Sequence, residues 1–273
     1  MTPAPATQFL QLPHGRIAYD EQGAGPLVIL VPGMAELRST FRHLSPLLVA
    51  AGYRVVTTDL RGHGDSDADF PAYGDPETAS DLIALTEAIG EPAVLLGNSL
   101  AAGAAVIAAA ERPELVSALI LVGPFVRNPP HSALGKALLR FITKPAWAAQ
   151  VWKAYMPTLY AGTQPADFAE YRNAVGAALR RPGYARAFSR TVAQTDHAVA
   201  EARLAEVTAP SLVIMGTQDP DFKDPQAEAD WLADALGAEQ VMARESGHYP
   251  HAQEPQLTAD AVAAFLQRVM PGA

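Results

Sequence analysis

The chain has 273 residues, a length that suits one large domain with or without an inserted subdomain. Its formal charge of −9 at pH 7 argues against a nucleic acid or an anionic membrane as partner, while a hydrophobic content of 49% supports a substantial core. Cysteine is absent, which excludes disulfides, cysteine nucleophiles and thiolate metal sites.

The first part of the chain is predicted to alternate strands and helices. Residues 8–22 fit a hairpin, because apolar stretches flank Pro13-His14-Gly15. The continuous apolar run Leu27–Val31, bounded by prolines, is typical of a parallel strand buried on both faces. The elements expected next are a helix at 39–51, a strand at 54–59 and an amphipathic helix at 76–89.

Residues 93–112 combine a strand, a sharp turn and a helix. The apolar run 93–96 ends in Gly97-Asn98-Ser99 and leads into a helix of small residues at 101–112. Ser99 therefore lies at the apex, where the first amides of the helix and its positive dipole end face the hydroxyl. This layout is that of a nucleophile elbow and predicts a serine hydrolase. Ala101 stands where a second glycine is usual, and simple capping of the helix by Ser99 is the alternative.

The segment at 127–207 differs from the preceding residues in composition and in its predicted elements. It follows a strand at 119–122, shows helical runs without a good strand, and holds two of the three tryptophans. We therefore predict a core domain formed by residues 1–126 and 208–273, with a helical cap subdomain at 127–207. A separate helical domain is the alternative.

A serine nucleophile needs a general base and an acid that orients it. Asp219 follows the predicted strand Ser211–Gly216, and His248 follows a short strand-like run at 240–243. Both lie just past the carboxyl ends of strands, where open α/β sheets place their sites. The competing acids are Asp221 and Asp224, and the competing histidines are His63 and His251.

Five segments together resemble the α/β-hydrolase superfamily over about residues 15–266. They are Val31-Pro32-Gly33-Met34, Asp59-Leu60-Arg61-Gly62-His63-Gly64-Asp65-Ser66, Gly97-Asn98-Ser99-Leu100-Ala101, Gly216-Thr217-Gln218-Asp219 and Gly247-His248-Tyr249-Pro250. The resemblance implies an α/β fold with a mostly parallel central sheet, helices on both faces and an inserted helical cap. It also implies Ser99 as nucleophile, His248 as base and Asp219 as acid.

The same resemblance implies an oxyanion hole and a pocket. The backbone N–H groups of Leu100 and Met34 are the expected donors, since Pro32 has no N–H. Many relatives carry His-Gly where this chain has Pro32-Gly33. The residues expected near the substrate are Gly33, Phe125, Trp147, Trp152, Tyr155 and Tyr249.

The predicted activity is hydrolysis of a carboxylic ester or lactone of a small to medium, largely apolar substrate through an acyl-enzyme. Activity is expected to fall as His248 becomes protonated, within the usual histidine range of about 6–7. Carbon–carbon bond hydrolysis, a lyase reaction and a slow-turnover receptor remain alternatives. A serine at the elbow argues against haloalkane dehalogenase and epoxide hydrolase activity, which use a carboxylate nucleophile in this family.

No cofactor and no metal is predicted, because neither a phosphate-binding glycine pattern nor His-Glu-x-x-His occurs. The polar loop 61–66 is interpreted as structural. The expected partner is a small-molecule substrate, with no nucleic acid and no membrane, and the chain is expected to be a monomer or homodimer. Residues 1–7 do not resemble a signal peptide, so the cytoplasm is the default location.

Overall fold

The computed structural model describes residues 6–129 and 133–271. Eight strands form one sheet in the order β1-β2-β4-β3-β5-β6-β7-β8. The strands are β1 (Gln8–Leu12), β2 (Gly15–Gln22), β3 (Leu27–Val31), β4 (Arg54–Thr58), β5 (Ala93–Asn98), β6 (Val116–Val122), β7 (Ser211–Gly216) and β8 (Glu239–Ala243). The two ladders that involve β2 are antiparallel and all others are parallel, so the predicted hairpin and parallel sheet are confirmed.

Helices cover both faces of the sheet. In chain order they are α1 (Ser45–Ala50), α2 (Asp75–Ile89), α3 (Leu100–Glu111), α4 (Ala133–Ile142), α5 (Ala148–Leu159), α6 (Phe168–Leu179), α7 (Tyr184–Gln194), α8 (Ala198–Glu201), α9 (Pro225–Leu236), α10 (Pro250–Gln253) and α11 (Pro255–Val269). One apolar cluster joins the sheet to α2, α3 and α9, and a second joins its other face to α1 and α11. Two-sided burial explains why β3 and β5 are apolar without alternation. The predicted α/β architecture is confirmed.

The helix predicted at 39–51 is interrupted, so that prediction was wrong in part. A short 3-10 helix spans Arg38–Phe41, and α1 begins only at Ser45. Pro46 lies in the first turn of α1 and has no N–H to bond to a preceding turn, so it can start a helix but not continue one.

The helices α4–α8, here called the insertion, lie between β6 and β7. Aromatic side chains from these helices and from Tyr160, which follows α5, form a buried cluster that also includes Ala35 and Tyr249; the aromatic members from the helices are Phe168, Tyr171 and Phe188. The insertion therefore packs directly on the loops that follow the strands. The boundaries predicted for a cap subdomain, 127–207, remain a prediction.

Among the helices that the structure describes, none combines the length and apolar character that a membrane crossing requires.

Candidate active site

Ser99 occupies the sharp turn between β5 and α3. Its backbone has φ 59° and ψ −125°, a conformation that L-residues rarely adopt. The turn is fixed by neighbours: Ser99 N–H donates to the Val122 carbonyl at 3.0 Å, and Phe125 N–H donates to the Ser99 carbonyl at 3.2 Å. Ala101 is fully buried in α3, so the methyl group that replaces the usual glycine is accommodated. The structure has the strained strand-turn-helix that the sequence predicted.

His248 and Asp219 form a buried pair. The Nδ1 atom of His248 lies 2.7 Å from Oδ2 of Asp219, and both residues are only 2% exposed. The second oxygen of Asp219 accepts a hydrogen bond from the backbone N–H of Asp221 at 3.0 Å. Both carboxylate oxygens of Asp219 are therefore engaged, and the imidazole is held through one nitrogen.

The competing residues have other partners. Asp221 places its Oδ2 3.8 Å from His248 Nδ1, beyond hydrogen-bond distance, and accepts a bond from the Tyr155 hydroxyl at 2.7 Å. Asp224 caps α9 by accepting from Ala227 N–H. His251 pairs with Thr40 Oγ1 at 3.0 Å, and His63 pairs with the Arg61 carbonyl at 2.9 Å.

The electrostatics of His248 are set by opposing effects. Burial lowers the pKa of its imidazole, but the charge and the hydrogen bond of Asp219 outweigh burial and raise the pKa to about 9. The nearby carboxylates Asp221 and Glu36 act in the same direction as Asp219. The buried acid therefore raises the pKa of His248 above the value of about 6–7 that the sequence led us to expect.

Residues 244–249, here called the His248 loop, pack against the carboxyl ends of β5 and β6. Asn98 Nδ2 donates both to the Val122 carbonyl at 2.9 Å and to the His248 carbonyl at 3.3 Å. An added Cβ on Gly123 would lie 2.8 Å from the His248 carbonyl oxygen and 3.2 Å from Nδ1, so the close approach requires a glycine there. Ser99 and His248 consequently lie at the same edge of the sheet.

Two backbone segments border Ser99 as candidate oxyanion donors. Leu100 is the first residue of α3, where helical N–H groups have no partner within the helix. Gly33 lies so close that an added Cβ would be 2.8 Å from Ser99 Cβ and 3.3 Å from its hydroxyl oxygen. The next residues, Met34 and Ala35, form a turn closed by a 3.3 Å bond from Glu36 N–H to the Gly33 carbonyl. Within the described ranges, Ala35 and Ser99 are the two non-glycine residues with positive φ, so backbone strain is concentrated here.

The expected pocket residues fall into two groups. The Phe125 ring lies 5.8 Å from the imidazole of His248 and stacks on Phe222 at 4.9 Å, while Trp152 contacts the ring of Tyr155 at 5.9 Å. Phe125 and Tyr155, the latter through Asp221, thus adjoin the His248–Asp219 pair.

The other two aromatic residues lie differently. Trp147 packs against Phe141 and donates its indole N–H to the Phe141 carbonyl. Tyr249 is 2% exposed and stands edge-on behind the His248 ring. A role in binding substrate remains a prediction for all of the expected pocket residues.

The polar groups of the loop 61–66 bond to other side chains and to the backbone, and the interpretation of the loop as structural stays a prediction. Arg61 pairs with the buried carboxylate of Asp81 at 2.6 Å. Ser66 Oγ donates to the Asp59 carbonyl at 3.0 Å and accepts from Ala18 N–H at 2.9 Å. These bonds fix the loop that follows β4.

Sequence reasoning missed two buried groups beside the site. Glu36 is fully buried in the turn after β3, and its carboxylate accepts from the hydroxyls of Tyr171 and Tyr249. His197 pairs with the buried Asp75 at 2.7 Å and stacks on Phe125. A lone glutamate in a loop is usually exposed. The one sequence feature that could have indicated Glu36 is its position in the loop after the predicted strand Leu27–Val31, three residues after Gly33.

The ligand atoms of Asp219, Asp221 and His248 lie within 4.8 Å of one another, a spacing that could hold a metal ion. A cation bound at Nδ1 would have to displace the hydrogen bond between His248 and Asp219. The group is therefore better suited to orient an imidazole than to bind a metal.

Comparison with known proteins identifies the family of the chain. A family model described as "Alpha/beta hydrolase family" matches residues 28–261, so the chain belongs to the alpha/beta hydrolase family. An "Epoxide hydrolase" of Caballeronia sordidicola is 39% identical over 110 residues, which cover 39% of this chain and 33% of that protein. A "2-(acetamidomethylene)succinate hydrolase" of Mesorhizobium japonicum is 32% identical over 127 residues, 44% of this chain and 45% of that protein. The chain thus spans less than half the length of these curated relatives.

A solved structure resembles nearly the whole chain. The thermophilic esterase from Thermogutta terrifontis superposes with a TM-score of 0.81 and 22% identity, covering 96% of this chain and 99% of that one. At this identity the likeness concerns the fold.

Proposed function

We propose that the protein is a serine hydrolase that cleaves carboxylic esters or lactones of small to medium, largely apolar substrates. The observation that carries the proposal is the buried His248–Asp219 pair, 2.7 Å apart, beside a serine in a strained elbow. Membership of the alpha/beta hydrolase family supports hydrolysis in general.

In the proposed mechanism, Ser99 Oγ attacks the carbonyl carbon while its proton passes to Nε2 of His248. Nδ1 stays on Asp219, which fixes the tautomer and stabilises the imidazolium. The tetrahedral oxyanion accepts hydrogen bonds from the backbone N–H groups of Leu100 and Met34. As the bond from the carbonyl carbon to the leaving oxygen breaks, the alcohol takes the proton from His248. Water then gives a proton to the same imidazole and attacks the carbonyl carbon of the acyl-enzyme. The bond from that carbon to Ser99 Oγ breaks, and His248 returns the proton to Oγ, which releases the acid and free Ser99.

Epoxide hydrolysis is disfavoured by the chemistry of the elbow, although curated relatives bear that name. A carboxylate that opens an epoxide forms an ester, which water can cleave at its carbonyl. Attack by Ser99 on an epoxide would instead form an alkyl ether of serine, which has no carbonyl for water to attack. The elbow residue therefore favours acyl transfer.

The apolar surroundings support an apolar acyl or alcohol group. Phe125 and Phe222 stack beside His248, and Trp152 with Tyr155 extends the aromatic surface from α5. The buried base and acid lie in a water-poor environment, where oriented dipoles act more strongly than in water.

The test is hydrolysis of p-nitrophenyl esters from acetyl to dodecanoyl by the wild type, Ser99→Ala and Ser211→Ala. Ser211 is a matched control, because its hydroxyl donates to the Ala209 carbonyl at the start of β7. We expect turnover by the wild type and Ser211→Ala and none above background by Ser99→Ala. Styrene oxide is assayed in parallel. Epoxide opening that survives Ser99→Ala, or ester turnover that survives it, would refute the proposal.

A further inference from the structure

The turn after β3 contains a buried carboxylate that the proposed mechanism does not use. Glu36 has no exposed surface, yet it lies on the same turn as Gly33 and Met34. Leaving a carboxylate in such a place is costly unless it is hydrogen-bonded. Its partners therefore show what the group does.

Both partners are tyrosine hydroxyls, and they come from different parts of the chain. Tyr171, on α6 of the insertion, donates to Oε2 of Glu36 at 2.5 Å. Tyr249, which directly follows His248, donates to Oε1 at 3.2 Å. The Tyr171 hydroxyl also accepts from Leu37 N–H at 3.2 Å, so it bonds to two successive residues of the turn. One carboxylate thus connects the turn, the insertion and the His248 loop.

The turn has a reason to need such support. Ala35 has φ 58°, a left-handed conformation that is sterically unfavourable for a residue with a Cβ atom. Strain of this kind persists only where surrounding contacts hold it. The far end of the turn is anchored separately, because Arg38 N–H donates to Asp59 Oδ1 at 2.7 Å.

Glu36 has no exposed surface in this structure, so it is not positioned to contact a substrate. One cavity that Glu36 lines has a volume of about 10 Å³, which is room for about one water molecule. The charged and titratable groups that interact with Glu36 are Tyr160, Tyr171, Tyr249, His248 and Arg42. Burial raises the pKa of Glu36 to about 7, although the two tyrosine bonds lower it, so the carboxylate predominates at pH 8.

We propose that Glu36 is a positioning residue which, clamped by Tyr171 and Tyr249, holds the strained turn so that Met34 N–H is aimed at the oxyanion beside Ser99. This inference rests on the proposed serine hydrolase function for its catalytic consequence. Its structural consequence, a rigid turn that depends on the docked insertion, can be measured independently.

The test compares Glu36→Gln, Tyr171→Phe and Tyr249→Phe with Tyr184→Phe at pH 8. Tyr184 is a matched control, because its hydroxyl donates to the Ser66 carbonyl at 2.9 Å and accepts from Arg181, so its hydrogen bonds go to residues outside the turn. The first readout is amide hydrogen exchange at residues 34–36. We expect exchange about 10-fold to 100-fold faster in Glu36→Gln and Tyr171→Phe, the range typical of losing a hydrogen bond to a charged group, and no change in Tyr184→Phe.

The second readout is p-nitrophenyl ester hydrolysis. A displaced oxyanion donor reduces the stabilisation of the transition state but not the binding of the substrate. We therefore expect kcat to fall by about 10-fold or more with KM nearly unchanged. Exchange at 34–36 equal to that of Tyr184→Phe, or unchanged kcat in every clamp variant, would overturn the inference. If the wild type cleaves no ester but exchange at 34–36 is fast in Glu36→Gln and Tyr171→Phe, the proposed function is refuted. The role of Glu36 in holding the turn would then remain supported.

Discussion

Replacing Asp219 by asparagine should disable the base by reversing its tautomer. One oxygen of Asp219 accepts from the Asp221 N–H at 3.0 Å and the other faces His248 Nδ1 at 2.7 Å. In Asp219→Asn the single remaining oxygen can satisfy only one of these donors. If it keeps the backbone N–H, the new NH₂ group faces His248, whose Nδ1 must then accept. The proton moves to Nε2, the atom that must receive it from Ser99.

In the Ser-His-Asp triad of a serine protease, this wrong tautomer lowers kcat by about 10⁴-fold. We expect a loss of roughly 10³-fold to 10⁴-fold here with KM little changed. Asp221→Asn should cost far less, because its carboxylate lies 3.8 Å from Nδ1 and the backbone N–H that holds Asp219 remains.

The assay is kcat for p-nitrophenyl ester hydrolysis at pH 8, with Asp224→Asn as the matched control. Asparagine caps a helix as well as aspartate does, so the cap that Asp224 provides to α9 is retained and activity should be unchanged. A greater loss in Asp221→Asn or Asp224→Asn than in Asp219→Asn would refute the reasoning.

Three further outcomes are expected. In the wild type, kcat/KM should rise with pH toward an inflection near 9, because the neutral imidazole of His248 is the base and Asp219 raises its pKa to about 9; an inflection below 6.5 would contradict this. Gly33→Ala should lower both kcat and thermal stability, since its Cβ would meet Ser99 Cβ at 2.8 Å, and overpacking costs about 1–3 kcal/mol. Burial lowers the pKa of His251 from 6.5 to about 3, so between these values the unfolded state binds a proton that the folded state does not. The free energy of unfolding therefore decreases as the pH is lowered below 6.5. Urea unfolding at pH 7 and pH 5 should show that His251→Phe removes about 2 kcal/mol of this difference; an unchanged difference would contradict it.

The sequence was sufficient where local pattern and chain order decide the structure. Leu27–Val31 is a strand with the predicted bounds, because an apolar run between prolines has few alternatives in a sheet buried on both faces. Ser99, Asp219 and His248 follow β5, β7 and β8, and their location at one edge of the sheet follows from the parallel direction of these strands.

Features that depend on distant partners could not be predicted. The burial of Glu36 needs Tyr171 and Tyr249, which lie 135 and 213 residues away along the chain. No periodicity reports such a contact. The pKa of His248 likewise depends on the burial of the imidazole and on its hydrogen bond to Asp219, which a motif does not convey.

Main-chain hydrogen bonds join the insertion to the His248 loop. His248 N–H donates to the Leu159 carbonyl at the end of α5 at 2.8 Å, and Thr163 N–H donates to the Glu245 carbonyl at 2.8 Å. These bonds use backbone atoms, so they constrain chain path rather than side-chain identity. A chimaera that exchanges the insertion for that of a relative should therefore carry its own 159–163 segment and 245–248 loop as one transplanted unit. Grafting the helices alone would leave the imidazole without its backbone support.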